Sequence, residues 1–202
     1  SYLPVEPEII TIETPDKENA VFMAATNLEI RSDDPDWEAL YIANDILGGG
    51  SLASKLGERV REKEGLSYGV GSQFMAKSID RSAVFMTYAI TNPSNRDKLI
   101  KTIDEVFDDF MANGVTQKEI ESARTSYLKQ LDETLSNDLQ LLSTLHQYQE
   151  ANRDESFITR RQSNIKALTK ASVDAVLKKL LNQKKLLIVT AGDFEGQKSP
   201  SK

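Results

Sequence analysis

At 202 residues, with 39% hydrophobic and 28% charged side chains, the chain has the composition of an ordinary globular protein. A formal net charge of −6 and an isoelectric point near 5.0 argue against nucleic acid as a partner. No apolar run approaches the roughly 18–20 residues that span a bilayer, and the absence of cysteine excludes disulfides, thiolate metal sites and cysteine nucleophiles together.

The chain is expected to open with an extended, proline-marked segment over residues 1–7, carrying Pro4 and Pro7. Strands are expected from Ile9 to Ile12 and from Ala20 to Thr26, joined by a polar Pro15-Asp16-Lys17 turn. Asp33-Asp34-Pro35-Asp36 then reads as a helix start, with acid and proline where the first turn favours them. Trp37, Leu40, Tyr41, Ala43, Ile46 and Leu47 give that helix an apolar face, and the glycines Gly48, Gly49 and Gly50 are expected to stop it. A short helix over 52–63 follows, with Gly65 as its left-handed terminator.

Ser67 to Met75 and Ser82 to Ile90 read as an antiparallel strand pair. From Ser94 onward the period changes to helical, first through Leu99, Ile103, Val106, Phe107 and Phe110 to a stop at Asn113-Gly114. Thr116 and Glu119 form a capping box for the next helix, carried by Ile120, Ala123, Tyr127 and Leu131. Helices over 137–151, 155–167 and 171–181 lead to a strand from Lys185 to Thr190, an Ala191-Gly192 turn and a polar tail from Glu195 to Lys202. The expected fold class is α+β: a mainly antiparallel sheet packed against a layer of helices, one domain over 1–202, its sheet closed by the C-terminal strand.

Within this pattern the segment from Leu47 to Val70, L-G-G-G-S-L-A-S-K-L-G-E-R-V-R-E-K-E-G-L-S-Y-G-V, carries the most chemistry. It puts Arg61 at the end of a short helix and Tyr68 at the start of a strand, so that a guanidinium and a phenol approach one sheet edge. Five fixed N–H donors and one O–H donor suit a carbonyl or an oxyanion. The plain alternatives are an Arg61 paired on the surface with Glu62 or Glu64, and a Tyr68 packed in the core with its hydroxyl at the rim. Lys63 and the glutamates around it read as a solvated helix face. Gly69 and Gly71 alternate along the following strand, where glycine is unfavourable unless something comes close. A peptide along the strand edge accounts for them, and so does a bulge or a closely packed helix.

Other chemistries find little. His146 is the single histidine and reads as a helix residue, so no H-x-x-E-H or H-E-x-x-H zinc site can be built. Asp33-Asp34 and Asp108-Asp109 read as surface acids. G-G-G-S-L-A-S-K lacks the Gly-Lys-Ser/Thr ending of a phosphate loop, and G-L-S-Y-G-V-G enters a strand instead of leaving one. Ser51, Ser54 and Ser67 have no histidine base, so a self-contained serine or carboxylate hydrolase has no supporting constellation.

At Gly48–Gly50, Leu56, Arg59, Arg61, Lys63, Glu64, Gly65, Leu66, Tyr68 and Gly69 the sequence resembles the pitrilysin/insulinase family of zinc metallopeptidases, and in particular the C-terminal, zinc-free half of bacterial members. The likeness extends through N-G-V-T-Q-K-E-I-E-S-A-R, A-L-T-K-A-S-V-D-A-V and the closing A-G-D-F. The resemblance implies two homologous halves closing like a clamshell around a peptide. One half holds zinc through an inverted H-x-x-E-H on its first helix and a distal glutamate. The other lends an arginine and a tyrosine to the substrate backbone, at positions matching Arg61 and Tyr68. The helix corresponding to the metal-binding one, Trp37 to Leu47, carries neither histidine. No metal or cofactor is therefore expected in this chain, and zinc is expected in the partner half, fused or separate.

What the resemblance implies is thus a non-catalytic, peptide-binding half of a metallopeptidase; a scaffold subunit using the same fold without proteolysis is the alternative. Bacterial relatives of this kind suggest the periplasm or cell envelope, with the cytoplasm as the other option. The chain starts at Ser1 without Met, so a mature product or a piece of a longer polypeptide is expected.

Overall fold

The computed structural model describes residues 3–50, 53–181 and 186–196. Five strands form one sheet in the order β1-β5-β2-β4-β3: β1 Ile9–Glu13, β2 Ala20–Leu28, β3 Gly69–Ala76, β4 Ala83–Thr91 and β5 Leu187–Gly192. The pairs β2/β4, β3/β4 and β2/β5 are antiparallel, and β1/β5 is parallel.

Strict alternation explains why β2 and β4 make the centre. In β4 every second residue from Ala83 to Thr91 is buried, and in β2 the same holds from Ala20 to Leu28. Their core-facing side chains, Phe22 and Phe85 among the largest, meet helices on one side only. Helix α1 (Trp37–Asn44) lies against β3. Helix α2 (Arg96–Asn113) buries Leu99, Ile103, Phe107 and Phe110, at the spacing its sequence predicts. Full burial of one such side chain is worth roughly 1.5–3 kcal/mol.

Helix α3 (Gln117–Leu135) opens on the expected capping box: Thr116 accepts from the Glu119 N–H at 3.2 Å, and Glu119 accepts from the Thr116 N–H at 2.6 Å. Helices α4 (Asp138–Glu150), α5 (Ser156–Ala167) and α6 (Lys170–Leu180) follow, with α4 packed on α3 and α6 on α1.

The C-terminal strand completes the sheet by slotting between β1 and β2, because β2 offers a pairing edge on each side and β5 takes the one β4 leaves. Two expectations are corrected. Ala191-Gly192 is no turn but the end of that strand, opposite Ile12 and Glu13. A Cβ at Gly192 would lie 2.6 Å from that of Ala20, so glycine there serves close packing. The glycine run does not stop the first helix at Gly48: the backbone widens into a π turn over Asp45–Gly49, and the Gly50 N–H bonds back to the Asp45 carbonyl at 3.0 Å. The expected start of the last strand at Lys185, Ser51, the first residue of the expected 52–63 helix, Ser1 and Tyr2 of the N-terminal segment, and tail residues 197–202 lie outside the described residues.

Candidate functional site

The site grows from the connection that carries the chain out of a π-helical segment, Gly57–Lys63, into edge strand β3. Ser54 caps that segment by accepting from the Gly57 N–H at 3.2 Å, and is itself buried. At the other end Gly65 takes φ +61°, the left-handed conformation its sequence position predicts. The Gly65 and Leu66 N–H groups then close onto the Arg61 and Val60 carbonyls, a glycine stop widened by one residue to suit the π geometry.

Charges on one side of the segment are spent on holding it. Arg59 pairs with Glu64 and, at 3.1 Å, with Glu105 on α2, while Lys98 reaches Glu64 at 2.9 Å. Hydrogen bonds from Lys98 and Arg59 keep the Glu64 carboxyl below its ordinary pKa. Lys63 and Glu58 form an exposed pair at 3.1 Å, as expected of a solvated face.

Arg61 makes a contact within its own segment. Its side chain is largely buried, and its Nε donates to the exposed carboxylate of its neighbour Glu62 at 2.7 Å. Surface pairing with Glu62 was the plain alternative for this residue, and the contact is present. A pair between adjacent residues with one partner exposed adds little to stability.

After Gly65 the backbone is pinned. Leu66 is buried and its carbonyl accepts from the Thr91 hydroxyl at 2.6 Å; Ser67 is buried and its hydroxyl accepts from the Ile90 N–H at 3.3 Å. Between Ser67 and the first residue of β3, Tyr68 turns outward with 76% of its surface exposed. The core-packed reading of Tyr68 is therefore corrected: its two neighbours fill the space beside β4, and the ring is left in solvent. Arg61 and Tyr68 thus flank one turn at the entry to one sheet edge.

The two strand glycines separate cleanly. A Cβ at Gly71 would lie 2.9 Å from the Tyr88 hydroxyl and 3.0 Å from the Gly48 carbonyl, and one at Gly48 would lie 2.7 Å from the Ser72 nitrogen. Gly48 and Gly71 therefore let the π turn after α1 sit directly on β3, where the Ser72 hydroxyl also donates to the Asn44 carbonyl at 3.2 Å. Close helix packing accounts for both. Gly69 is different: only the Ile90 Cδ1 comes near, at an ordinary 3.8 Å. Nothing in the described structure requires glycine there.

The remaining candidates have structural partners. His146 is exposed on α4, 3.8 Å from Glu150. Asp33 pairs with Arg31 at 2.6 Å and lies 3.5 Å from Arg153, while Asp34 accepts from Arg81 at 2.7 Å; these acids knit the loop before α1 together, beyond the surface role expected of them. On α1, where the resemblance would seek metal ligands, buried Glu38 lies 3.6 Å from Arg161 and accepts from Asn164 at 3.3 Å. Arg161 in turn stacks over Trp37, 3.7 Å from its ring centroid. Among the described residues no group of His, Cys, Asp or Glu is disposed to hold a metal, so the residues present do not fit zinc. Among the described residues no helix is long and apolar enough to cross a membrane.

A cleft of about 620 Å³ lined by Lys77, Ile79, Tyr148, Arg153 and Arg161 opens at the far end of β3. A strand of that length puts it about 25 Å from Tyr68, and its arginines already face Asp33 and Glu38. One feature escapes a motif search: the face of the sheet away from the helices is apolar as well. The signal lies in β2, whose Ala-Val-Phe-Met-Ala-Ala run does not alternate with polar residues.

A family model described as the peptidase M16 inactive domain matches residues 2–127. A Bacillus subtilis protein described as an uncharacterized zinc protease, YmxG, is 34% identical over 85 residues, 42% of this chain and 20% of that protein. A Helicobacter pylori protein described as a non-peptidase homolog is 31% identical over 80 residues, 39% of this chain and 18% of its own length. Among solved structures, a peptidase M16 inactive domain from Pseudomonas fluorescens superposes with a TM-score of 0.84 at 31% identity, over 94% of this chain and 44% of the other. The chain thus spans less than half the length of each of these three.

Proposed function

The chain belongs to the peptidase M16 inactive-domain family, and from that premise we propose that it is the non-catalytic, substrate-binding half of a zinc metallopeptidase. An H-x-x-E-H half, on the same polypeptide or a separate subunit, completes the enzyme. Zinc belongs to that half and activates water there; nothing in this chain is asked to hold it. This chain supplies hydrogen-bond donors. The Arg61 guanidinium and the Tyr68 hydroxyl meet the backbone carbonyls of an extended peptide, and they stabilise charge as it gathers on the attacked oxygen. The peptide runs beside Gly69 on edge strand β3, where a side chain would stand in its way.

The observation that carries this reading is Tyr68: an aromatic ring held 76% exposed on a backbone pinned at Leu66 and Ser67. Arg61 lies on the same turn, its Nε 2.7 Å from the exposed Glu62 carboxylate. In the assembled enzyme, Arg61→Ala or Tyr68→Phe is expected to slow peptide hydrolysis with zinc content unchanged. Loss of one such donor costs about 2.7–4 kcal/mol of barrier in comparable sites, on the order of 10²–10³ in rate. Unaltered turnover in both variants would remove these residues from the site.

A second reading makes the chain a scaffold subunit without proteolysis. It draws on the Helicobacter pylori relative, which is described as a non-peptidase homolog. A scaffold places no demand on Tyr68, so the same two variants separate the readings.

A further inference from the structure

Around the loop before α1, positive charge outnumbers the carboxylates that meet it. Asp33 accepts from Arg31 at 2.6 Å, Asp34 from Arg81 at 2.7 Å, and Glu38 lies 3.6 Å from Arg161. Arg153 is the fourth cation, and the carboxylate it meets, Asp33 at 3.5 Å, is the one Arg31 already holds. Four guanidinium groups thus share three carboxylates.

The surplus charge is a buried one. The Arg153 side chain is 7% exposed and that of Arg161 9%. Both guanidinium groups lie 4.6 Å from the centroid of the Phe157 ring, so like charges crowd one aromatic. Arg153 donates to the Ser32 hydroxyl at 2.9 Å and the Ser78 carbonyl at 2.8 Å, and Arg161 donates to the Ser32 carbonyl. Two guanidinium groups have many more N–H donors than these bonds use. The Nε of each is buried without a hydrogen-bond partner among the described residues. Burial, aided by nearby Arg161 and Arg31 against the pull of Asp33, holds the Arg153 guanidinium below its ordinary pKa. A buried cation is costly unless it is paired.

Both side chains line the cleft of about 620 Å³ at the far end of β3, a size usual for a small-molecule site. Asp80 is the one acid among its lining residues and lies 3.6 Å from Lys77. The lining is therefore net positive in a chain of net charge −6.

We propose that this cleft binds a monocarboxylate with an apolar body, its carboxylate taken by Arg153 and Arg161 and its body by Ile79, Leu131 and Tyr148. One uncompensated cation calls for one negative charge, which a carboxylate supplies and a phosphate dianion exceeds. Planar guanidinium groups also match the two oxygens of a carboxylate. The free C-terminal residue of a peptide has this chemistry, and so has a short aliphatic acid. The cleft lies a strand's length from Tyr68, so carboxylate binding there does not depend on the roles given to Arg61 and Tyr68.

The test is isothermal titration calorimetry of the whole chain with N-acetyl-leucine and hexanoate, each beside its uncharged amide, and with inorganic phosphate. Two variants are titrated in the same way. Arg153→Met removes the surplus cation, and Ile79→Asp sets a repelling charge at the cleft on a side chain 63% exposed. Circular dichroism checks that each is folded; should Arg153→Met fail to fold without its bonds to Ser32 and Ser78, Ile79→Asp carries the test. The wild type is expected to bind at least one of the acids, with its amide and phosphate tenfold or more weaker, and each folded variant to lose tenfold or more of that affinity. Tighter binding of N-acetyl-leucine supports the proposal with a peptide end as ligand, and tighter binding of hexanoate supports it with a free acid. A wild type that binds neither acid would overturn the proposal. So would an amide or phosphate that binds as tightly as the acids, or acid binding indifferent to the substitutions.

Discussion

Substituting alanine at Gly48 and, separately, at Gly69 sets a packing glycine against one with room to spare. At Gly48 the new Cβ would lie 2.7 Å from the Ser72 nitrogen, 2.8 Å from the Leu56 Cδ1 and 2.9 Å from the Ser72 hydroxyl. The Ser72 nitrogen is backbone in a strand paired along its length with β4, so it cannot simply withdraw. Overpacking of this kind costs about 1–3 kcal/mol, and the entropy gained by removing a helical glycine offsets roughly 0.5–1 kcal/mol of it. The net loss is about 1–2 kcal/mol, a fall in Tm of roughly 3–6 °C for a domain of this size. At Gly69 the nearest atom is 3.8 Å away, and only the gain remains. Gly69→Ala is therefore expected to leave Tm unchanged or raise it slightly, while Gly69→Val in the assembled enzyme slows peptide cleavage. Thermal and urea unfolding followed by circular dichroism give both stabilities. Equal destabilisation by the two alanines, or a harmless Gly48→Ala, would refute the packing argument.

Two further outcomes concern the frame around the site. Thr116→Ala removes the acceptor from the capping box of α3 and is expected to cost about 1 kcal/mol in urea unfolding, with the fold retained. Burial of Tyr127 pushes its phenol up to about 12 from an ordinary 10, so the unfolded chain loses this proton before the folded one does. Its contribution is complete below pH 10 and lost as pH rises towards 12, roughly 2–3 kcal/mol over the window. Tyr127→Phe is expected to flatten that stretch of the stability–pH curve, which equilibrium unfolding at a series of alkaline pH values measures.

Local rules carried far along this chain. The capping box at Thr116, the left-handed stop at Gly65 and the spacing of Leu99, Ile103, Phe107 and Phe110 all depend on residues within a turn or two of one another. What local pattern could not supply was set by distant partners. β5 enters between β1 and β2 through pairings spanning nearly the whole chain, and the π turn after α1 exists because Gly48 rests on Ser72. Arg61 and Tyr68 were legible as residues from the resemblance, yet the exposure of Tyr68 depends on Ser67 and Leu66 filling the space beside β4. Gly69 and Gly71 look alike in sequence and part only when their neighbours are in place.

The most direct test of the central claim is zinc content and hydrolysis of a quenched generic peptide by this chain, alone and mixed with its H-x-x-E-H half. A complementing, zinc-free half predicts that metal and activity appear only in the mixture, and that Arg61→Ala removes the activity but not the metal. Zinc and cleavage from the chain alone would contradict the account, as would a zinc-loaded mixture that cleaves no peptide.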